Sequence, residues 1–326
     1  MIIDIHNHFA VPEYINLLLG RTGFPSMERQ GDAYLIHVSP MDTYVLPDGM
    51  FRLDTRMEEM ERSDVDRHVM SIIVPAGEVA ADRSLNIELA KAANEGLARI
   101  QRDEPGRFTT MATLPLLDGD ESVKELDRAV NELGLRSVMI TSNVAGKALD
   151  SEDLWPVYAR AEQLGVPVMI HPSWPVMAEH LEGWTMPVNL GFLFDSTAAM
   201  MRIILSGVME RFPDLTFILC HLGSTIPYVI GRLNRTGGPR SGNWGNNDKA
   251  PFEYFKRVYI DTVSRHRPAI VMARETMGSE KLLFGTDYPY GTIDPMIADV
   301  MENDFSVPDQ EAIMSKNAIR LFDLEA

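Results

Sequence analysis

Eight short apolar runs are spread along the chain, each followed by an amphipathic stretch. The runs are IIDI (2–5), VMSIIVP (69–75), FTTMATLP (108–115), LRSVMITS (135–142), VPVMIHP (166–172), LTFILCHLG (215–223), VYIDTV (258–263) and KLLFGTD (281–287). The stretches 56–65, 84–104, 121–134, 151–165, 196–213, 225–235, 267–278 and 309–324 carry apolar residues at helical spacing. Gly134 reads as a C-terminal stop and Ser151 as an N-cap. Strand and helix alternating eight times over 326 residues predict one α/β domain, residues 1–326, folded as a (β/α)8 TIM-like barrel. The runs are continuously apolar, as strands buried on both faces are. An open doubly wound sheet would want a glycine-rich loop after its first strand, and HNHFAVPEY has no glycine. Three connections, roughly 12–55, 173–194 and 236–252, are too long for plain turns and read as functional βα loops.

A formal charge of −17 argues against nucleic acid or an anionic membrane as partner. No apolar run approaches the ~20 residues of a membrane span. The start, MIID, has no basic region ahead of an apolar one, so no signal peptide is expected. The one cysteine, Cys220, can form no intrachain disulfide, which suits a cytoplasmic location. The 20 methionines read as adaptable core filler.

Barrels of this kind carry their chemistry at the C-terminal ends of the strands. There the chain places His6 and His8, His171, His221, Asp261 and Asp287. His6 and His8, in DIHNHF, alternate onto one face, with Asn7 opposite. A lone H-x-H could be two satisfied histidines, but so many metal-competent groups at one rim point to a metal site. The ligand set read here is His6, His8, His171 and Asp287. Three imidazoles and a carboxylate suit one divalent ion, zinc first, with manganese or iron as alternatives. His221 reads as a neighbouring acid–base group rather than a fifth ligand. Alternation sends Cys220 toward the helix layer, away from His221, which removes a Cys–His nucleophile. Asp4 should lie one layer below His6, as a partner to the ligands or part of a network in the barrel floor. Asp261 is open between a ligand partner and a helix cap. His37 and His180 fall in long loops and read as solvated; His68 and His266 read as structural, at the far end of the barrel.

DIHNHF, MIHPSW (169–174), FPDLTFILCHLGSTIPYVIGRL (212–233) and LFGTDYPYG (283–291) together resemble the amidohydrolase superfamily. More narrowly, they resemble its aminocarboxymuconate-semialdehyde decarboxylase-like branch, with γ-resorcylate and other aromatic acid decarboxylases. The resemblance runs from residue 1 to about 324. It implies a barrel with one divalent metal held by His6, His8, His171 and Asp287, and His221 as the catalytic histidine. It implies that Arg232, otherwise an ordinary helix arginine, grips a substrate carboxylate in its own site or a neighbour's. Arg52 is matched in the same way to a substrate-binding arginine, within a divergent loop. Tyr290, after Asp287, matches an aromatic that often lines the pocket in the branch, and Trp174, after strand five, is a similar candidate; either would suit a flat, conjugated substrate. The superfamily's two-metal members usually carry a modified lysine after strand four, where MITSN (139–143) has none. Ser224 stands where some decarboxylases have a glutamate. Homodimers or higher homo-oligomers are common in the branch.

Three functions follow. The first is a metal-dependent non-oxidative decarboxylase, a carboxy-lyase acting on a small aromatic or conjugated unsaturated carboxylic acid, with His221 and Asp287 as catalytic groups. The second is a metal-dependent hydrolase of an ester, lactone or amide using the same residues. The third is a non-catalytic barrel with a structural metal, which a His/Asp set at a barrel mouth disfavours.

Overall fold

The computed structural model describes residues 1–39, 42–72, 82–235 and 244–325. Eight parallel strands follow one another around a sheet in chain order. They are β1 (Ile3–Asp4), β2 (Arg67–Ile72), β3 (Phe108–Ala112), β4 (Ser137–Thr141), β5 (Val168–His171), β6 (Phe217–Leu219), β7 (Tyr259–Asp261) and β8 (Leu282–Leu283). Each lies within an apolar run picked out above; of the second run, residues 73–75 lie outside the described residues. The sheet curls until its first and last strands meet. Ile5 N–H donates to the Phe284 carbonyl at 3.0 Å, and Asp4 accepts from the Thr286 hydroxyl at 2.6 Å and its N–H at 3.1 Å. The result is a nearly closed (β/α)8 barrel with helices between the strands.

Two apolar layers hold it. Ala112, Val138, Ile140, Val168, Ile170, Phe217, Leu219 and Ile260 face outward onto the helices. Met70, Met111, Met139, Met169, Ile218 and Leu283 face inward. Met139, Met169 and Ile218 stand side by side in register, so flexible thioethers fill the barrel floor, as the methionine content suggested.

The helices follow the sequence closely. Residues Arg83–Asp103 start at Asp82, whose carboxylate accepts from Ser84 and Leu85 N–H; Gly119–Asn131 starts at Asp118 in the same way. Ser151 makes no side-chain cap, because a 3-10 turn, Glu152–Leu154, intervenes before helix Trp155–Leu164. The stretch Pro187–Leu205 is helical throughout its 19 residues, with mean hydropathy 1.3 in an 18-residue window, long and apolar enough by composition to cross a membrane. No such span was expected from the sequence. Its Ala199, Met200, Ile203 and Ile204 are buried in the outer core, so its apolarity is that of a helix packed on the barrel.

The first long connection is built rather than loose. It holds helix Pro12–Leu18, a three-stranded antiparallel sheet (Ser26–Gln30, Ala33–Ser39, Asp42–Leu46) and helix Leu53–Arg62. The second holds the turn Ala178–Leu181. Of the third, residues 236–243 lie outside the described residues.

Candidate active site

The rim residues converge. After β1 the chain runs on to a short strand, His8–Phe9, that pairs with β2. This extended path points His6 and His8 the same way, with ring centroids 5.2 Å apart. His171 ends β5, its ring 4.6 Å from that of His8 and 5.1 Å from that of His6. Asp287 follows β8 and presents Oδ1 at 3.4 Å from His6 Nε2 and 3.2 Å from His8 Nε2. Its Oδ2 is 3.5 Å from His221 Nε2. Residues 282 positions apart in the chain are tied just beneath, through Asp4 and Thr286.

Each ligand candidate has its Nδ1 side engaged. His6 Nδ1 meets Asp261 Oδ2 at 2.6 Å, His8 Nδ1 lies 2.9 Å from Ser71 Oγ, and His171 Nδ1 donates to the Pro172 carbonyl at 2.8 Å. The three Nε2 atoms, all turned to the common centre, are buried and make no hydrogen bond. Asp287 is close enough to attract them but lies off hydrogen-bond geometry. Burial, with the charge of neighbouring histidines, holds His171 well below the usual imidazole range; burial also lowers His8. Burial alone would raise the Asp287 carboxyl, but His6, His221 and His8 hold it well below the usual carboxylate range. Burial alone would lower His6, but Cys220, Asp287 and Asp261 hold it well above the usual imidazole range. Three imidazoles with orphaned Nε2 atoms, two of them held neutral, around an ionised carboxylate are the donor set of a divalent-metal site, where an ion takes the place of the His6 proton. Ligand atoms of His6, His171, His221 and Asp287 lie within 4.8 Å of one another.

His221 reaches the cluster by an unexpected route. On β6, Phe217 and Leu219 pack against the helices, whereas Ile218 and Cys220 pack inside the barrel. Strict alternation would turn His221 outward. It is brought back because His221 and Leu222 take left-handed backbone, φ 53° and 58°. That conformation costs roughly 1–2 kcal/mol for each non-glycine residue. Cys220 therefore faces the interior, beside His6 and Asp261, and not the helix layer as alternation suggested. Burial pushes its thiol up to about 12, so it stays protonated and carries no nucleophile chemistry at neutral pH.

Around the cluster, Tyr290 stands with its ring 6.5 Å from that of His8, and Tyr44 of the antiparallel sheet packs edge-on against Tyr290 at 6.3 Å. Tyr44 had no signal in the sequence, since the sheet that delivers it was read as loop. Trp174, partly exposed, follows His171, and its carbonyl accepts from Asn143 Nδ2 at 3.1 Å. Arg52 pairs with Asp54 at 3.1 Å and Arg232 is exposed on helix Ile226–Arg235. His37 sits in the antiparallel sheet beside Thr43, and His180 is exposed in the turn after β5. His266 lies exposed in the connection after β7, on the C-terminal side of the barrel rather than the far end; the chain turns before its helix starts at Arg267.

His68 is fully buried near the start of β2. It lies under the site with Arg56, a fully buried arginine that the sequence did not single out. The Arg56 guanidinium donates to the carbonyls of His8 and Gly49 and to Asn7 Oδ1, lies 3.0 Å from His68 Nδ1, and is flanked by the Phe9 and Tyr288 rings. Asp4 accepts from His6 N–H at 3.0 Å and lies 3.6 Å from His68 Nε2, so it is both a support for the ligand strand and part of the floor network.

An amidohydrolase family model matches residues 3–324. The chain belongs to the amidohydrolase family. This amidohydrolase is 28% identical over 336 residues to 2-amino-3-carboxymuconate-6-semialdehyde decarboxylase of Dictyostelium discoideum, covering 99% of this chain and 92% of that protein. It is similar to the crystal structure of 2,6-dihydroxybenzoate decarboxylase in complex with 2,6-dihydroxybenzoate, with TM-score 0.83, 25% identity and 99% of each chain covered. The dihydroxybenzoic acid decarboxylase of Polaromonas sp. JS666, solved with manganese and 2-nitroresorcinol, has the same fold, with TM-score 0.83, 24% identity and coverage of 100% and 98%. These relatives of the amidohydrolase are carboxy-lyases, and they favour decarboxylation over hydrolysis.

Proposed function

We propose that the protein is a metal-dependent non-oxidative decarboxylase whose substrate is a hydroxylated aromatic or similarly conjugated carboxylic acid. The observation that carries the metal is the set of three orphaned Nε2 atoms around Asp287. His6, His8, His171 and Asp287 would hold the ion. When bound, it supplies positive charge that orients substrate oxygens and disperses the negative charge left as CO2 departs. The donor set takes zinc or manganese, and the Polaromonas structure makes manganese the first ion to test.

His221 is the proton carrier in this reading. Unlike the three ligand candidates, its Nδ1 is buried without a hydrogen-bond partner, so its proton is oriented from the Nε2 side alone. Its Nε2 faces Asp287 Oδ2, and the pair can pass a proton to the ring carbon as the bond to the carboxylate breaks. The balance is one carboxylate and one proton in, CO2 and a C–H bond out. Tyr290, Tyr44 and Trp174 form aromatic walls that fit a flat ring. Arg232 and Arg52 are the candidates to meet the carboxylate, and Arg232 does so across a homodimer or higher homo-oligomer if not in its own chain. The chain acts as one barrel unit, and a buried lone cysteine suits the cytoplasm.

The test is product analysis. Metal-free protein reloaded with Mn2+ is given hydroxybenzoates, muconates, lactones and anilides. Release of CO2 without net uptake of water is expected; turnover of lactones or anilides alone would replace this reading with hydrolysis.

A further inference from the structure

Asp261 ends β7 and is fully buried. Its two oxygens accept four N–H groups. Oδ2 takes His6 Nδ1–H at 2.6 Å and the His221 backbone N–H at 3.0 Å. Oδ1 takes the Leu222 N–H at 2.8 Å and the Val263 N–H at 3.0 Å. No lysine or arginine ion pair with Asp261 occurs among the described residues; its ion-pair partner there is His6. The left-handed residues, His221 and Leu222, are two of the three whose backbone amides it holds, and the backbone stays at positive φ through Gly223 and Ser224. Two strands and two functional histidines thus share one carboxylate.

We propose that Asp261 is a positioning residue that sets both halves of the site at once. Through Oδ2 it keeps the proton of His6 on Nδ1, which leaves Nε2 with a lone pair turned to the cluster. Through the two amides it pins the turn that swings His221 back to Asp287. The alternatives left open by the sequence, ligand partner or backbone cap, are one role here. The part concerning His6 needs only a metal; the part concerning His221 rests on the decarboxylase reading.

The substitution Asp261→Asn separates this from ordinary fold support. Its carbonyl can still accept from Leu222 and Val263, but its amide then faces two donors, the His6 Nδ1–H and the His221 N–H. His6 must move its proton to Nε2 or lose its partner. Metal-free protein is titrated with Mn2+ against a chelator. Asp261→Asn should weaken Mn2+ binding by about 10- to 100-fold. At saturating Mn2+ it should lower kcat at least about tenfold with little change in KM. In the His221→Asn background it should cost no further kcat while the loss of Mn2+ affinity persists. Mn2+ affinity and kcat both within twofold of the native chain would overturn the proposal, as would an equal kcat loss with or without His221. If Asp261→Asn does not fold, the native chain labelled with 15N-histidine decides the matter. His6 must carry a proton on Nδ1 both metal-free and with Zn2+, and a His6 protonated on Nε2 alone refutes the role. Should the native chain decarboxylate nothing, that reading falls by itself, and Mn2+ affinity still decides the part concerning His6.

Discussion

His221 Nε2 and Asp287 Oδ2 stand 3.5 Å apart, and both residues take left-handed backbone, φ 53° and 60°. Neither is glycine. The chain holds two unfavourable conformations to bring a base and a carboxylate face to face, a pattern that recurs at functional sites.

His221→Asn is therefore expected to lower kcat by about 10^2- to 10^4-fold, the range for losing a proton-transfer group. Bound metal, measured by elemental analysis, should stay near that of the native chain. Asp287→Asn should lose both turnover and metal. A His221→Asn protein with native kcat would remove the histidine from the chemistry.

Chelation should abolish turnover and leave the barrel folded, because its two apolar layers do not depend on the ion. Mn2+ at a hundredfold excess over Kd should then restore turnover and stabilise the fold by about 2.7 kcal/mol. Circular dichroism and a thermal melt with and without the ion check this. Unfolding on chelation would instead indicate a structural metal.

His68 gives a pH signature away from the ligands. Burial, then the charges of Arg56 and Arg107, hold its imidazole well below the usual range. A group lowered in the folded state contributes stability above its unfolded pKa, about 6.5, and loses it as pH falls through the folded value. The difference in melting temperature between the native chain and His68→Gln should therefore be largest near pH 7.5 and shrink toward pH 5. Asp4, raised to about 6 by burial, works in the opposite sense: its contribution is full below pH 3.8 and is lost as pH rises through 6. A pH-independent difference would show that His68 titrates as it does in the unfolded chain.

Arg56→Met should destabilise the protein by roughly 3 kcal/mol or more, since it strands the carbonyls of His8 and Gly49 and the Asn7 side chain in a dry site. Urea unfolding measures it. A loss below about 1 kcal/mol would mean water enters to satisfy those groups.

Tyr44→Ala should raise KM for hydroxylated aromatic acids several-fold and leave Mn2+ affinity alone, since its ring packs on Tyr290. Equal KM for Tyr44→Ala and the native chain would place the substrate elsewhere.

The barrel was legible because each strand is a continuous apolar run and each helix keeps its period. The cluster was legible because four histidines and Asp287 all fall at strand ends, where the fold alone brings them together. What escaped was local backbone. Alternation misplaced Cys220 because β6 stops at Leu219 and turns left-handed two residues later, a change that apolar pattern does not encode. The antiparallel sheet escaped because strands such as SMERQ are short and mostly polar, so Tyr44 came with them unseen. Arg56 read as one more charge on an amphipathic helix; only the fold shows it buried among carbonyls.

The bond between Asp4 and Thr286 joins the first and last strands beneath the histidine cluster. A ribosome releases His6 and His8 long before it makes Asp287, so for most of synthesis the early imidazoles have no finished cage to close upon. Capture of the ion is thereby deferred until the last strand docks, and a truncated or stalled product should stay a poor scavenger of cellular metal.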